Sequence, residues 1–310
     1  MKEIKKVLVC GIGAVGSIYA DKIEKFSPND LRILVDKNRL ERYSKNPTIF
    51  NNRVLNFNYI LPDATDFKAD LIIVATKFDA LQEVITNIKN FVHEGTIILS
   101  LLNGVTSEKI IAETYGREKL LYSYFIGHSA IRVGRKITHD DVNTIVYGSE
   151  NEADTENVES VKNYFEKVGI NFEIPDDIIH SLWQKYMLNV AANQTTAILR
   201  MTFGELLANK KAMEFVQNIC KEVQQIAKAE GVKGTDTLID EVIDHLHTMI
   251  PEGKTSMLQD VEAGRKTEVD MFAGTIIDLG AMHNIQTPYN KIMKEMLDII
   301  YYQRSVNSNN

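Results

Sequence analysis

The chain has 310 residues, of which 44% are hydrophobic and 25% charged, and a formal net charge of −7. That makeup is expected of a soluble globular protein long enough for two domains. The acidic balance offers no basic footprint, which argues against nucleic acid or an anionic membrane as partner, and no apolar run approaches the roughly 20 residues of a membrane span. The opening stretch through Cys10 has too short an apolar run for a signal peptide. Only Cys10 and Cys220 are present, far apart and without a metal-type spacing, so a reduced, cytoplasmic setting is expected. His245 and His247 are two apart and cannot share a helical face. No other grouping of His, Cys or carboxylates suggests a metal.

Lys6-Val-Leu-Val-Cys10 reads as a buried strand running straight into Gly11-Ile12-Gly13-Ala14-Val15-Gly16 and then a helix to about Phe26. This is G-x-G-x-x-G in the context that gives it meaning, after a strand and opening a helix. Gly11 permits the tight turn, Gly13 lets backbone approach a pyrophosphate, and Gly16 lets helix and strand pack closely. The amides at the helix start then face the anion. A glycine-rich turn without ligand is the plainer alternative. Leu31–Asp36 is a second strand, whose tip discriminates between the nicotinamide dinucleotides. Asp36 suits a free pair of ribose hydroxyls, whereas Lys37, Arg39 and Arg42 suit a 2′-phosphate, and both choices stay open.

Two further apolar strands, Asp70–Lys77 and Gly95–Gly104, have the composition of a parallel sheet covered on both faces. Ligands in open α/β sheets bind beyond the carboxyl ends of strands, which makes Lys77 and Asn103 candidates for the dinucleotide crevice. Asn103-Gly104 is equally a common turn dipeptide. From Leu120 to Glu150 the pattern becomes short strands with Gly127, Gly134 and Gly148 at turns, suggesting antiparallel additions. A helix over 157–168 and a last strand at 170–174 complete a first domain, 1–175. The second, 176–310, reads as all helical, with helices at 177–198, 204–231, about 235–250, 256–263, 268–284 and 288–303. The tail from Ser305 to Asn310 is expected to be disordered.

The most informative stretch is Leu182–Ile198. Leu182, Trp183, Tyr186, Met187 and Val190 recur at the spacing of a buried helical face. Lys185, Asn189 and Asn193 fall four apart and form one stripe, drifting by roughly 40° per step. A cation followed by two amides, bordered by apolar residues, is unusual for a solvent face, where mixed charges are the norm. Further on, Ser256 and Gln259 have capping-box spacing, Gly264 is placed to end that helix, and Thr267 with Asp270 would start the next. Glu268 would then be a first-turn carboxylate suited to the helix dipole. On one straight helix Ser256 and Glu268 would lie roughly 18 Å apart along the axis. A break in the helix can bring them to one cleft.

Trp183-x-Lys185-x-x-x-Asn189-x-x-x-Asn193, Ser256-Met-Leu-Gln-Asp260, Thr267-Glu-Val-Asp270, and strand-end Lys77 and Asn103 together resemble the ketopantoate reductase (2-dehydropantoate 2-reductase) family over nearly the whole chain. The resemblance implies an α/β fold with an N-terminal Rossmann dinucleotide-binding domain and a C-terminal all-helical domain that carries substrate and catalysis. It implies Lys185 as catalytic acid with Glu268 as its carboxylate partner. Asn103, Asn189, Asn193 and Ser256 would hold substrate, and Lys77 would lie near the cofactor and the carbonyl. The cofactor site would be Gly11, Ile12, Gly13, Ala14, Val15, Gly16, Lys37, Lys77 and Asn103. The implied reaction is reduction of ketopantoate to pantoate with NADP(H), in pantothenate synthesis, while Asp36 keeps NAD(H) in play. The partner is a small 2-oxoacid, and a homodimer is left open. The family often has an asparagine just before Gly-Glu-Leu, where Phe203 stands here, which favours another branched 2-oxoacid as the alternative substrate. A non-catalytic dinucleotide sensor on the same fold is the alternative from another class, and a sensor has no need of a proton donor.

Overall fold

The structure is a computed structural model and describes residues 2–127, 131–139 and 142–307. The chain divides into two compact units, Met1–Ile178 and Ile179–Asn310.

The first unit starts with β1 (Val7–Cys10), α1 (Ala14–Phe26), β2 (Leu31–Leu34) and α2 (Lys37–Lys45). Three short strands follow, β3 (Ile49–Phe50), β4 (Arg53–Val54) and β5 (Tyr59–Ile60), then β6 (Leu71–Val74) and α3 (Leu81–Asn87). Next come β7 (Ile97–Ser100), α4 (Ser107–Tyr115), β8 (Leu120–Gly127), β9 (Ile131–Val133) and β10 (Lys136–Thr138). The unit ends with β11 (Asn143–Gly148), α5 (Thr155–Val168) and β12 (Phe172–Glu173). The main sheet has the order β12-β11-β8-β7-β6-β1-β2-β5. Its six parallel strands, taken in chain order as β1, β2, β5, β6, β7 and β8, lie as 3-2-1-4-5-6, the dinucleotide-binding arrangement with its switch point between β1 and β6.

The apolar runs explain the layering. Val7 and Val9, Leu71 and Ile73, Ile97 and Leu99 enter one hydrophobic cluster, while Leu8 and Cys10, Ile72 and Val74, and Ile98 enter another. Alternate residues of a strand point to opposite faces, so both faces of the sheet are buried and every residue of these strands is apolar or small. Each such side chain contributes roughly 1.5–3 kcal/mol.

Two expectations for this unit need correction. The additions after Leu120 are antiparallel only in part: β8 runs parallel to β7, because the crossover through α4 returns the chain to the same edge, and only β11 is antiparallel to β8. The β9–β10 hairpin leaves that sheet altogether and joins β3 and β4 in a second, four-stranded one.

The second unit is helical: α6 (Ile178–Leu188), α7 (Gln194–Leu199), α8 (Phe203–Ala208), α9 (Lys210–Ala229), α10 (Leu238–His247), α11 (Ser256–Glu262), α12 (Thr275–His283) and α13 (Pro288–Asn307). One helix over 204–231 is expected from sequence, yet the chain breaks at Asn209, whose side chain accepts from the amides of Lys211 and Ala212 and so caps α9. Thr202 and Glu205 form a reciprocal capping box at the start of α8. The carboxylate of Glu222, buried on α9, accepts from the Tyr289 and Asn290 amides at 2.8 and 3.1 Å and caps α13 from outside. The tail is not disordered from Ser305 onward, since α13 continues through Asn307. Residues 308–310 lie outside the described residues. No helix is long and apolar enough to cross a membrane, among the described residues.

The junction of β1 and α1 is sterically strict. A Cβ on Gly16 would sit 1.9 Å from the Gly11 carbonyl oxygen, whereas a Cβ on Gly13 would meet nothing within 4 Å. Gly16→Ala is therefore expected to destabilise the fold by about 1–3 kcal/mol, as overpacking does. Gly13→Val should keep the melting temperature and lose dinucleotide binding. Thermal unfolding with cofactor titration of both variants checks this, and equal effects on stability would contradict the packing account.

Candidate active site

The sequence-derived candidates fall into one group in each unit. In the first, β1, β6 and β7 are adjacent and parallel, so the loops after them share one edge of the sheet. The first carries the glycine turn, the second Lys77 and the third Asn103. Gly11 takes φ +95°, with the Ala75 carbonyl oxygen 2.8 Å from where a Cβ would be. A left-handed backbone pressed against β6 admits only glycine there. Ile12 is buried and its carbonyl accepts from the Ser17 hydroxyl at 3.1 Å, which pins the loop to α1. Ala14 and Val15 are half-buried against the core cluster. Gly13 is the N-cap of α1 and no side chain caps that end. A 13-residue helix thus presents its positive end above an open glycine, the arrangement that holds an anion.

Lys77 is exposed at the start of a one-turn helix after β6, and Asn103 is half-buried three residues beyond β7. Lys37 is exposed as the first residue of α2, at the carboxyl end of β2. Asp36 is the N-cap of that helix. Its Oδ1 accepts from the Arg39 amide at 2.7 Å and its Oδ2 pairs with the Arg39 guanidinium at 3.2 Å. The Arg42 guanidinium lies over the Tyr43 ring. Sequence alone leaves Asp36 as a ribose ligand or a solvated turn; in the structure it is the cap of α2.

In the second unit the helix carrying Lys185 does not stay α-helical. Residues Asn189–Asn193 form a π turn between α6 and α7. In an α-helix each four-residue step overshoots one turn by about 40°. The wider i→i+5 turn takes more residues to complete, so the step from Asn189 to Asn193 undershoots and brings the stripe back into line. The Asn193 amide donates to the Asn189 side-chain oxygen at 3.1 Å. Lys185 and Asn193 are half-buried and Asn189 is buried. Beneath them, Leu182, Trp183, Tyr186, Met187 and Val190 are buried, as their spacing predicts.

A second π turn, Asp270–Gly274, begins two residues after Glu268. Here the expected capping box between Thr267 and Asp270 is not formed: the turn has Val269 at its N-cap and no side-chain cap. Glu268 is half-buried just before it, and its carbonyl accepts from the Met271 and Phe272 amides at 3.0 and 3.1 Å. Asp270 is paired with Lys294 of α13 at 2.7 Å, and the carboxylates of Asp270 and Asp298 raise the ammonium of Lys294 above its usual pKa range. The buried Tyr186 hydroxyl lies 3.1 and 2.9 Å from the Met271 and Phe272 carbonyl oxygens, so α6, the helix that carries Lys185, is joined to the second π turn through one phenol.

The expectation that Ser256 caps its helix is also corrected. Thr255 is the N-cap, accepting from the Leu258 amide at 3.2 Å, and Ser256 is the exposed first helical residue. Adjacent hydroxyls suit either register, which is why sequence cannot choose between them. The Thr255 hydroxyl also lies 2.8 Å from that of Thr196, which reaches the Ala192 and Asn193 carbonyls at 2.9 and 3.0 Å. The start of α11, and Ser256 with it, is thereby tied to the asparagine stripe. Both cysteines are free and buried, and burial pushes the Cys10 thiol above its usual range and that of Cys220 up to about 12. No metal-binding cluster of three or more ligands occurs among the described residues.

Thr255→Val is expected to cost about 0.5–2 kcal/mol, because it removes the cap together with the link to Thr196. Ser256→Ala is expected to leave the stability within about 0.5 kcal/mol of the parent, as surface changes do. Unfolding curves of the two variants decide it, and the reverse order would restore Ser256 as the cap.

Residues 7–152 match the family model described as ketopantoate reductase PanE/ApbA, and residues 177–300 match its C-terminal counterpart. The Bacillus subtilis (strain 168) protein named uncharacterized oxidoreductase YkpB is 25% identical over 287 residues, covering 91% of this chain and 94% of its own. A 2-dehydropantoate 2-reductase from Streptococcus pyogenes serotype M1 is 25% identical over 297 residues, covering 94% and 96%. Among solved structures, D-mandelate dehydrogenase with NADH and anilino(oxo)acetate superposes with a TM-score of 0.84 at 21% identity, over 97% of this chain and 99% of that one. With two adjoining family models spanning most of its length, the chain belongs to the ketopantoate reductase family of oxidoreductases.

Proposed function

We propose that the protein reduces ketopantoate to pantoate with NADPH, the family reaction that feeds pantothenate synthesis. The observation that carries this reading is the Lys185-Asn189-Asn193 stripe, realigned by the π turn and tied through Thr196 and Thr255 to Ser256. A cation, two amides and a hydroxyl brought together in this way suit an anionic substrate with a carbonyl to protonate. The glycine cradle fits the pyrophosphate of a dinucleotide, since Gly13 opens onto free space at an uncapped helix start. Lys77 and Asn103 would lie beside the nicotinamide end, on the same sheet edge.

A bound reduced nicotinamide supplies the hydride. As the hydride reaches the ketone carbon, negative charge develops on the carbonyl oxygen, and the Lys185 ammonium gives that oxygen a proton and is left as a neutral amine. Glu268 orients the ammonium and favours its charged form before the step. Ser256 and the asparagines donate to the substrate's polar groups. The phosphate-bearing cofactor is favoured at the tip of β2 because both Asp36 oxygens are already engaged by Arg39, while Lys37 is exposed.

A second substrate reading, another branched 2-oxoacid, is favoured by Phe203. Its amide donates to the Gly253 carbonyl at 3.1 Å, and its ring approaches Gly253 so closely that a Cβ there would lie 3.1 Å away. An aromatic is thus fixed where an asparagine would have offered a donor to the substrate's hydroxyl.

Initial rates with ketopantoate and each reduced nicotinamide, on the parent and on Lys185→Ala, test the reading. The expected result is turnover with a higher kcat/KM for NADPH, and a fall in kcat of at least ~10² in the variant, the scale of general acid catalysis. Dinucleotide affinity should be unchanged. Near-normal kcat in Lys185→Ala would overturn the proton-donor assignment, and a clear NADH preference would return Asp36 to the ribose.

A further inference from the structure

Glu108 lies in the first turn of α4 and is 2% exposed. One hydroxyl and one amide reach it, and two further hydroxyls lie behind them. The Ser107 hydroxyl donates to Oε2 at 2.8 Å, and its oxygen lies 2.8 Å from the Ser100 hydroxyl. Since the single Ser107 proton goes to the carboxylate, Ser100 is the donor in the second contact. Ser123 of β8 completes the cluster: its hydroxyl donates to the Ser100 carbonyl at 2.9 Å and its amide approaches Oε1 at 3.5 Å. All three serines are buried. Ser100 ends β7 and Ser107 begins α4, so the relay ties together both ends of loop 101–106, which carries Asn103.

The charged and titratable groups facing this carboxyl are few. Arg117, in the turn after α4, attracts it but is itself paired with Glu150 at 3.2 Å, and its guanidinium lies over the ring of Tyr122 on β8. The neighbouring α3 carries one carboxylate, Glu83, at an exposed position. Burial outweighs the pull of the Ser107 hydroxyl, of the Glu108 and Ser123 amides and of Arg117, and it pushes the Glu108 carboxyl up to about 7. A charged Glu108 can only accept. A protonated one can donate to Ser107, which frees the Ser107 proton to turn towards Ser100 and reverses the relay.

We propose that Glu108 is a positioning residue for Asn103: through Ser107 and Ser100 it sets loop 101–106, and the direction of the relay governs how that loop presents the Asn103 amide. The consequence for turnover rests on Asn103 being a ligand-binding residue of the proposed reductase, whereas the coupling itself does not.

The test is an NMR pH titration of the full chain labelled with [15N]asparagine, with the Asn103 side-chain signal assigned by its loss in Asn103→Ala. In the parent the signal is expected to move with a midpoint near 7, and in Glu108→Gln that movement is lost. The glutamine stands for the protonated form, which the fold favours, because a raised carboxyl pKa makes folding stability fall as pH rises from about 4.5 through about 7. Ser107→Ala keeps the carboxyl but cuts the relay, and it too should abolish the movement. In steady-state assays KM for ketopantoate should follow the same titration in the parent and become flat in Glu108→Gln, with kcat nearly unchanged. A static Asn103 signal in the parent, or one that still titrates in Glu108→Gln, overturns the proposal. Absence of any turnover of ketopantoate by the parent would count against the proposed function, and the NMR titration would still decide the relay.

Discussion

The helical unit is organised by the contact of the Tyr186 hydroxyl with the carbonyls of Met271 and Phe272. A π turn displaces backbone groups from the regular ladder, and buried carbonyls without donors are costly. Placing a phenol from α6 against the turn after Glu268 lowers that cost and fixes two segments at once. Burial raises the Tyr186 pKa, which keeps the phenol protonated and able to donate. The same tyrosine is one residue beyond Lys185, so the side chain that anchors the helix also sets the rotation of the lysine about its axis. Trp183 packs edge-on against Tyr186 at 5.6 Å and Phe272 lies against it at 6.4 Å, leaving the ring little freedom.

The dinucleotide-binding unit rests on a different constraint, the approach of α1 to β1. Gly16 faces the Gly11 carbonyl at a distance that excludes any side chain, so the helix starts close against the sheet and its amides crowd the strand ends. The loops after β6 and β7 open on that same edge. One of them is tied at its base by Ser100, Ser107 and Glu108, a polar cluster buried where apolar packing would serve stability as well. Such clusters hold geometry at a cost in solvation.

Much of this was legible in the sequence because it depends on local pattern. The glycine spacing between a strand and a helix pointed to the turn, and fully apolar strands pointed to a sheet covered on both faces. The four-residue spacing of Lys185, Asn189 and Asn193 pointed to a stripe over a buried face. What was not legible depends on contacts remote in sequence or on choices between near-equal local options. Nothing in Asn189–Asn193 signals a π turn, which partners from other helices sustain. Thr255 and Ser256 compete for one cap, and Asn209 interrupts good helix formers on both sides. The parallel direction of β8 is decided by its crossover, and Asp36 stays open between a ribose ligand and a turn until its place as the cap of α2 is seen. Glu108 is one carboxylate among many in the sequence, and burial is not a property of its neighbours there.

The central claim is that Lys185 and Glu268 act as a unit in proton delivery, and a double-mutant comparison of kcat tests it most directly. Glu268→Gln keeps the shape and hydrogen bonding of the side chain but removes its charge. It should lower kcat by at least an order of magnitude, a modest share of the ~10²–10⁴ that general acid catalysis contributes, with the melting temperature almost unaltered. The double variant with Lys185→Ala should then be little worse than the worse single variant, because residues that share one function are strongly non-additive. Fully multiplicative losses, or a Glu268→Gln effect confined to thermal stability, would contradict the account and leave Glu268 as a carboxylate that only serves its turn.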